Sequence, residues 1–379
     1  MRPLTIIPSS ADLIEEEHLY RVEQSGFILG KRINGHSVWI PLLAAACICS
    51  PIGTHAKNKV PEDSRPPAKH FADVRLARGY RLPGIQTRQL KARDLVVDLY
   101  ALSFSQGMAV YAEIYADPSE TGTTIEIKKL VFDNRDIPVS KRSWGYRAVF
   151  GLSPDAAPGN KQLVVVCASG GNPRTEAFSV PVSATRYEFY PGALDLGKYS
   201  DVDYRPTPAE AKFIDECARK KNRAFGRTGP DEMDSFLSHP RDYHYVTSPF
   251  YAKRYIMRYR KVNHKKIRHK DKLNVHRGVD LRGKTGEPLF AMARGIVAIA
   301  EPMYYEGNFI VIDHGNRVFS CYMHCDKLSV REGARVRAGE TIGRVGSTGL
   351  ATAAHLHVSV FLQDVPVDPL SLLVLPIRD

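Results

Sequence analysis

Cysteine is sparse in this sequence, and long apolar runs are missing. Six cysteines, Cys47, Cys49, Cys167, Cys217, Cys321 and Cys325, are scattered over 379 residues with no C-x-x-C pair. No disulfide framework follows from that spacing. The most apolar run, at 38–49, spans twelve residues, short of the ~20 that a membrane-crossing helix needs. No nucleic-acid-binding motif is present, and no H-E-x-x-H pattern occurs anywhere. Acid is scarce where base is dense. The block KRYIMRYRKVNHKKIRHKDK, opening at Lys253 and closing at Lys272, holds ten Lys or Arg and one acid. It carries +9 of the formal net charge of +12. A uniformly basic nucleic-acid binder would spread its charge; a concentrated block suits a polyanion or an anionic surface.

The hydrophobic fraction of 43% is enough to build cores, and the length is that of two or three domains. Val, Ile, Tyr and Thr recur in short runs between Gly and Pro clusters, so the expectation is a mainly β protein. The run at 38–49 has the dimensions of a signal-peptide core, with Lys31 and Arg32 ahead of it and Thr54, His55 and Ala56 as a small-residue cleavage site. Residues 1–56 are read as a lead and signal segment, and 57–90, with KNKVPEDSRPPAKH, as a linker. The competing reading is a buried element of a cytosolic protein. Export to the periplasm or cell envelope is the expectation; a lipid anchor at Cys47 is weaker, because Ala44 stands three residues before it.

From 91 to 190, runs such as DLVVDLYAL, GMAVYAEIYA and QLVVVCAS alternate with turns at regular spacing. That pattern predicts an immunoglobulin-like β-sandwich with no metal or nucleophile cluster. Residues 191–247 read as a helical connector. Within it, Thr207 is a good N-cap, Pro208 suits the first helical position and Glu210 lies three after the cap. Ala211, Ile214, Cys217 and Ala218 share one face of the resulting helix.

The chemistry gathers after residue 248. LNVHRGVDLRGKTGEPLFA places His276 and Asp280 four apart with Gly278 between them, and HLHVSVFL places His355 and His357 two apart. Side chains at i and i+2 of a strand face the same way, about 6.6 Å apart. His276 and Asp280 would stand about 13 Å apart if extended, so sharing an ion requires a bend, which Gly278 permits. Imidazole and carboxylate are good zinc ligands, and a catalytic zinc keeps three of them and leaves a position for water. The available set is His276, Asp280 and one histidine of the H-x-H pair; the other, and His324 in SCYMHCDKL, are candidates for proton work. A lone H-x-x-x-D is weak evidence, and a single histidine among thirteen is most often structural. The combination in one β region is much stronger.

HRGVDL, NFIVIDHG, YMH, VREGARVRAGETIGRVGSTG and HLHVSV occur in that order, and together they resemble the lysostaphin/LytM-type zinc metalloendopeptidases. The resemblance covers residues 248–369. It implies an antiparallel β peptidase domain at 248–379, with Zn2+ held by His276, Asp280 and His357, and His324 and His355 as catalytic histidines. It further implies hydrolysis of peptide bonds in peptidoglycan, the main partner, in cell-wall remodelling. The alternative is a non-catalytic or autoinhibited activator of a partner wall amidase, with residues 219–244 as a candidate lid. Tyr251 stands where the family usually has Gly, and Cys321 and Cys325 flank His324. Both thiols read as packing residues, with a place near the ion left open. No specific nucleic acid is expected, and the block from Lys253 to Lys272 is a candidate contact with an anionic polymer or surface.

Overall fold

A computed structural model describes residues 84–119 and 124–379, together with the backbone of short strands at 29–33, 36–40 and 75–76. The signal segment at 38–49, its cleavage site and most of the linker lie outside the described side chains.

Two antiparallel sheets build the middle of the chain. One runs in the order β1 (Gln86–Ala92), β2 (Leu95–Ala101), β3 (Ala109–Ala116), β7 (Gly145–Gly151), β6 (Ser140–Arg142). The other runs β9 (Asn172–Val182), β8 (Gly159–Ser169), β4 (Ile125–Phe132), β5 (Arg135–Ile137). Alternate residues of both, among them Leu99, Val110, Phe150, Phe132, Val165 and Cys167, close one shared core. Sheet pairing begins at Gln86, inside the stretch expected to be linker. Gln86 to Ala92 is half exposed and polar, an edge strand that apolar periodicity does not reveal.

After β10 (Phe189–Leu194) the chain enters α1 (Pro208–Phe225). Thr207 Oγ1 accepts the Glu210 N–H and Glu210 answers the Thr207 N–H, so two of the helix's unsatisfied donors are met. The basic block from Lys253 to Lys272 lies in a long hairpin: β12 (Lys253–Val262) and β13 (Lys265–Val275). Asn263 and His264 both take positive φ, as a two-residue hairpin turn requires. β10 pairs in parallel with β12, making a three-stranded sheet.

The largest sheet is antiparallel. Its order is β11 (Val246–Ser248), β14 (Val279–Arg282), β18 (His355–Leu362), β17 (Val318–Cys325), β16 (Gly307–Asp313), β15 (Gly295–Met303), with Arg335–Val336 at the edge and β19 (Val365–Val367) also on β18. Leu356, Val358, Val360 and Leu362 of β18 face one way, into a core with Tyr322, Ile310, Leu289 and Ile342. The opposite face of the same strand carries His355, His357, Ser359 and Phe361. Phe225 at the end of α1 packs edge-on against Phe319 and Phe361, so the helix lies on that polar face. Met233 and Leu237 instead join the core on the other face. The stretch 219–244 is a helix end followed by a segment whose Met233 and Leu237 are core residues.

The two-sheet module is fastened to this unit by buried polar contacts. Arg147, 1% exposed, pairs with Asp231 at 2.9 Å and donates to the carbonyls of Met233 and Arg378. The Ala109 N–H donates to Ser371 Oγ at 2.9 Å, and Asp368 N–H to the Gly107 carbonyl at 2.8 Å.

Candidate metal centre

Register places the cluster. β14 and β18 pair antiparallel with Asp280 opposite His357, and β17 sets Met323 opposite His357 on the other flank. Residues directly opposite share a face, so Asp280 and His357 meet on the polar side. His276 arrives from the end of β13, where its backbone is clamped: its N–H donates to the Ala252 carbonyl at 2.9 Å and its carbonyl accepts from Tyr251 N–H at 2.7 Å. The chain then turns into β14 through Gly278. A Cβ there would lie 2.5 Å from the Val358 carbonyl oxygen and 2.6 Å from both His357 Nε2 and Ser359 Oγ. Glycine is needed at this position for close approach to β18.

Three atoms converge. His276 Nε2 lies 3.1 Å from Asp280 Oδ1 and 3.0 Å from His357 Nδ1, and His357 Nδ1 lies 2.9 Å from Asp280 Oδ1. Each distal nitrogen has its own partner. His276 Nδ1 donates to the Pro249 carbonyl at 2.9 Å, with Ser248 Oγ at 3.1 Å, and His357 Nε2 meets Ser359 Oγ at 2.9 Å. A carbonyl can only accept, so the His276 proton sits on Nδ1 and its Nε2 lone pair faces Asp280 and His357. His357 Nε2 is held by the Ser359 hydroxyl, and its Nδ1 faces His276 and Asp280. Two imidazole nitrogens and a carboxylate oxygen thus point at one place. Ligands at about 2.0–2.1 Å in a tetrahedron stand about 3.3 Å apart. Donor chemistry and spacing both fit a small divalent cation, and among the described residues this is the one such group of His, Cys, Asp or Glu.

The electrostatics agree. Burial opposes the Asp280 charge, yet His276 and His357 hold its carboxyl well below the usual carboxylate range. Burial pushes His357 down to about 4 against the pull of Asp280, which leaves its imidazole neutral. His324 is pushed down to about 3, first by burial and then by His355 and His357.

His324 and His355 stand beside the trio. Their ring centroids are 5.0 Å apart, and His324 is 6.2 Å from His357. His355 Nδ1 donates to the Ala353 carbonyl at 2.7 Å, and His324 Nδ1 to the Thr348 carbonyl at 2.8 Å. His355 Nε2 is buried without a hydrogen-bond partner, 3.7 Å from Asp280 Oδ1. His324 itself has a φ of 63° beside a register shift between β16 and β17, and its N–H donates to the Glu306 carbonyl at 2.9 Å. That irregularity turns its ring to the polar face.

All five predicted site residues are therefore brought together. Cys321 and Cys325 are not part of the group. Cys325 belongs to the core on the other face, burial pushes its thiol up to about 12, and buried Cys321 is shifted upward too. Ser248, Ser359 and the carbonyls of Pro249, Thr348 and Ala353 were not singled out from the sequence. Ser359 was within reach, being two residues beyond His357 on the same strand face. Tyr251 has a φ of 60°, in the left-handed region that favours glycine. Its buried ring, 4.6 Å from Tyr187, offsets the strain.

Comparison with known proteins agrees with the geometry. The model of peptidase family M23 matches residues 274–369. The peptidoglycan DD-endopeptidase ShyB of Vibrio cholerae is 30% identical over 159 residues, 42% of this chain and 33% of the relative. The DD-carboxypeptidase/endopeptidase Mpg of Neisseria meningitidis is 39% identical over 97 residues, 26% of this chain and 22% of the relative. The chain thus spans about a third or less of the length of these curated relatives. Among solved structures, the catalytic domain of lysostaphin from Staphylococcus simulans is 33% identical over 26% of this chain and 79% of its own, with a TM-score of 0.25. Residues 274–369 of this chain are a peptidase family M23 domain.

Proposed function

We propose that this chain is a zinc-dependent endopeptidase that hydrolyses peptide bonds of bacterial peptidoglycan in the cell envelope. One observation carries the reading: three candidate ligand atoms from two distant segments converge, with two further imidazoles beside them. His276 Nε2, Asp280 and His357 Nδ1 would hold the ion. When bound, zinc would supply a Lewis acid that polarises a carbonyl and acidifies water.

The remaining work belongs to the chain. His355 is anchored at Nδ1 by Ala353, so its free Nε2 takes the proton released as water adds to the scissile carbonyl carbon. His324, anchored at Nδ1 by Thr348, is neutral at rest. Its unprotonated Nε2 takes from His355 the proton released by water and passes it to the leaving amine as the C–N bond breaks. Ser248 and Ser359 keep the two ligand imidazoles in the tautomers that expose their lone pairs. Carbon gains oxygen, nitrogen gains the proton, and no group is oxidised.

The test is zinc content beside cleavage of purified cross-linked muropeptides, for the full chain and for His357→Ala. About one zinc per chain and conversion of dimers to monomers is expected, both lost in the variant. Full cleavage by the metal-free variant would overturn the ligand assignment.

A further inference from the structure

Residues 195–204, DLGKYSDVDY, run as a strap with one short 3-10 turn at Gly197–Ser200. One side of the strap is tied to the basic hairpin. Tyr259 Oη donates to the Gly197 carbonyl at 2.9 Å, and Val202 N–H donates to the Tyr259 carbonyl at 2.8 Å. Asp195 pairs with Lys266 at 2.6 Å, Asp203 with Arg260 at 2.7 Å, and Asp201 with Lys261 at 3.8 Å. The other side is latched to the turn between β15 and β16. Lys198 Nζ is 2.6 Å from Glu210 and 3.3 Å from Tyr304 Oη, and lies 5.0–5.6 Å from the ring centres of Tyr199, Tyr204 and Tyr304. The Tyr204 and Tyr304 hydroxyls are 3.0 Å apart.

The hairpin and the turn, though not Glu210 of α1, each belong to one half of the metal centre. The hairpin runs directly into His276. The turn carries Glu306, whose carbonyl holds His324, and Tyr305, whose carbonyl holds Leu350 next to the Thr348 loop. The strap therefore joins the His276 side to the His324 side. All five cluster side chains are at most 1% exposed, so a polymer reaches them only after a segment moves. The strap's ion pairs with the hairpin are largely exposed on the cation side, and such pairs are individually weak and screened by salt.

We propose that the hairpin's cations are the docking surface for the carboxylate-rich peptide stems of peptidoglycan, and that Asp195, Asp201 and Asp203 occupy it in their absence. Exchange of one set of carboxylates for the other releases the strap that ties the His276 side to the His324 side. The proposal rests on the function proposed above for the identity of the polymer. Charge complementarity carries it: the surface already binds three carboxylates, through Lys266, Arg260 and Lys261, and the formal +9 of the 253–272 block, which already counts Asp271 against Arg268, exceeds the charge of those three aspartates. The surplus attracts a polyanion at long range, and a polymer offering many carboxylates competes well against three.

The test uses the full zinc-loaded chain and two triple variants that leave the metal centre intact. In D195N/D201N/D203N, retention on purified sacculi at low salt should rise several-fold, and a chelator should withdraw zinc several-fold faster. In R260Q/K261Q/K266Q, zinc withdrawal should also quicken while retention falls. Unchanged retention and unchanged zinc withdrawal in the aspartate variant would overturn the proposal. So would retention on phosphatidylglycerol vesicles but not on sacculi, which would assign the hairpin to a lipid surface. Neither readout depends on cleavage, so a chain that binds zinc and cuts nothing would sink the endopeptidase reading and leave this test intact.

Discussion

Gly278→Ala is the sharpest local test of how the centre is built. The added methyl would meet the Val358 carbonyl oxygen at 2.5 Å, with ordinary contact beginning at 3.4 Å. The turn or strand β18 must therefore yield by about 0.9 Å, the difference of those two distances. Val358 is a ladder residue paired with Val279 on one side and Tyr322 on the other, so β18 resists. The turn between His276 and Asp280 moves instead, and both flanking residues are ligand candidates. A metal site tolerates ligand errors of about 0.2 Å, and loss of supporting geometry typically costs 10–100-fold in affinity. Overpacking of this kind destabilises by about 1–3 kcal/mol. Gly192→Ala is the control, since a Cβ there meets nothing within 4 Å. Equilibrium competition against a chelator reads the zinc affinity, and urea unfolding of the metal-free protein reads stability. Gly278→Ala should lose at least about tenfold in zinc affinity, and Gly192→Ala should match the parent. An unchanged affinity in Gly278→Ala would refute the claim that close approach of this turn to β18 sets the ligand positions.

Three further expectations follow from other contacts. His355→Ala should keep its zinc and lose about 10²–10⁴-fold in turnover, whereas His357→Ala should lose both; metal analysis beside muropeptide digestion separates the two, and zinc loss in His355→Ala would contradict the division of roles. Arg147→Ala should destabilise by about 1–3 kcal/mol, because it leaves the Met233 and Arg378 carbonyls without this donor while Asp231 keeps Arg142; a urea midpoint equal to the parent's would show that the docked module contributes nothing there. Acid should weaken the fold through His314, which burial pushes down to about 4 while Arg294 and Ser320 hold its two nitrogens. The folded state then binds fewer protons than the unfolded one, so this contribution is present above the unfolded value of ~6.5 and is lost as pH falls towards 4, by about 1.4 kcal/mol per unit. His314→Asn should flatten the fall of the urea midpoint between pH 6.5 and 4.5; an identical slope would assign the acid lability elsewhere.

Much of the site was legible because it depends on short-range rules. The two-residue spacing of His355 and His357 fixes their common face once HLHVSVFL is a strand, and Gly278 marks a constrained turn. The Thr207, Pro208 and Glu210 pattern gave the start of α1 because a capping box is local chemistry. What stayed hidden was set by partners distant in sequence. The basic block lacks apolar alternation, so its strands are not evident in the sequence; β10 pairs with the hairpin it forms, and acidic residues of the 195–204 segment balance part of its charge. Residues 86–92 are a strand only because β2 offers them a ladder. The orientation of His324 follows from a left-handed backbone beside a register shift, which no side-chain period encodes.

The central claim is that two separated fragments form one zinc-dependent centre that cuts wall peptides. Digestion of purified sacculi by the zinc-loaded full chain, with the products resolved by chromatography, tests it most directly. The account predicts release of new free amines and loss of cross-linked species, abolished by a chelator and restored by zinc. A chain that binds zinc at His276, Asp280 and His357 yet leaves the product profile unchanged would contradict it.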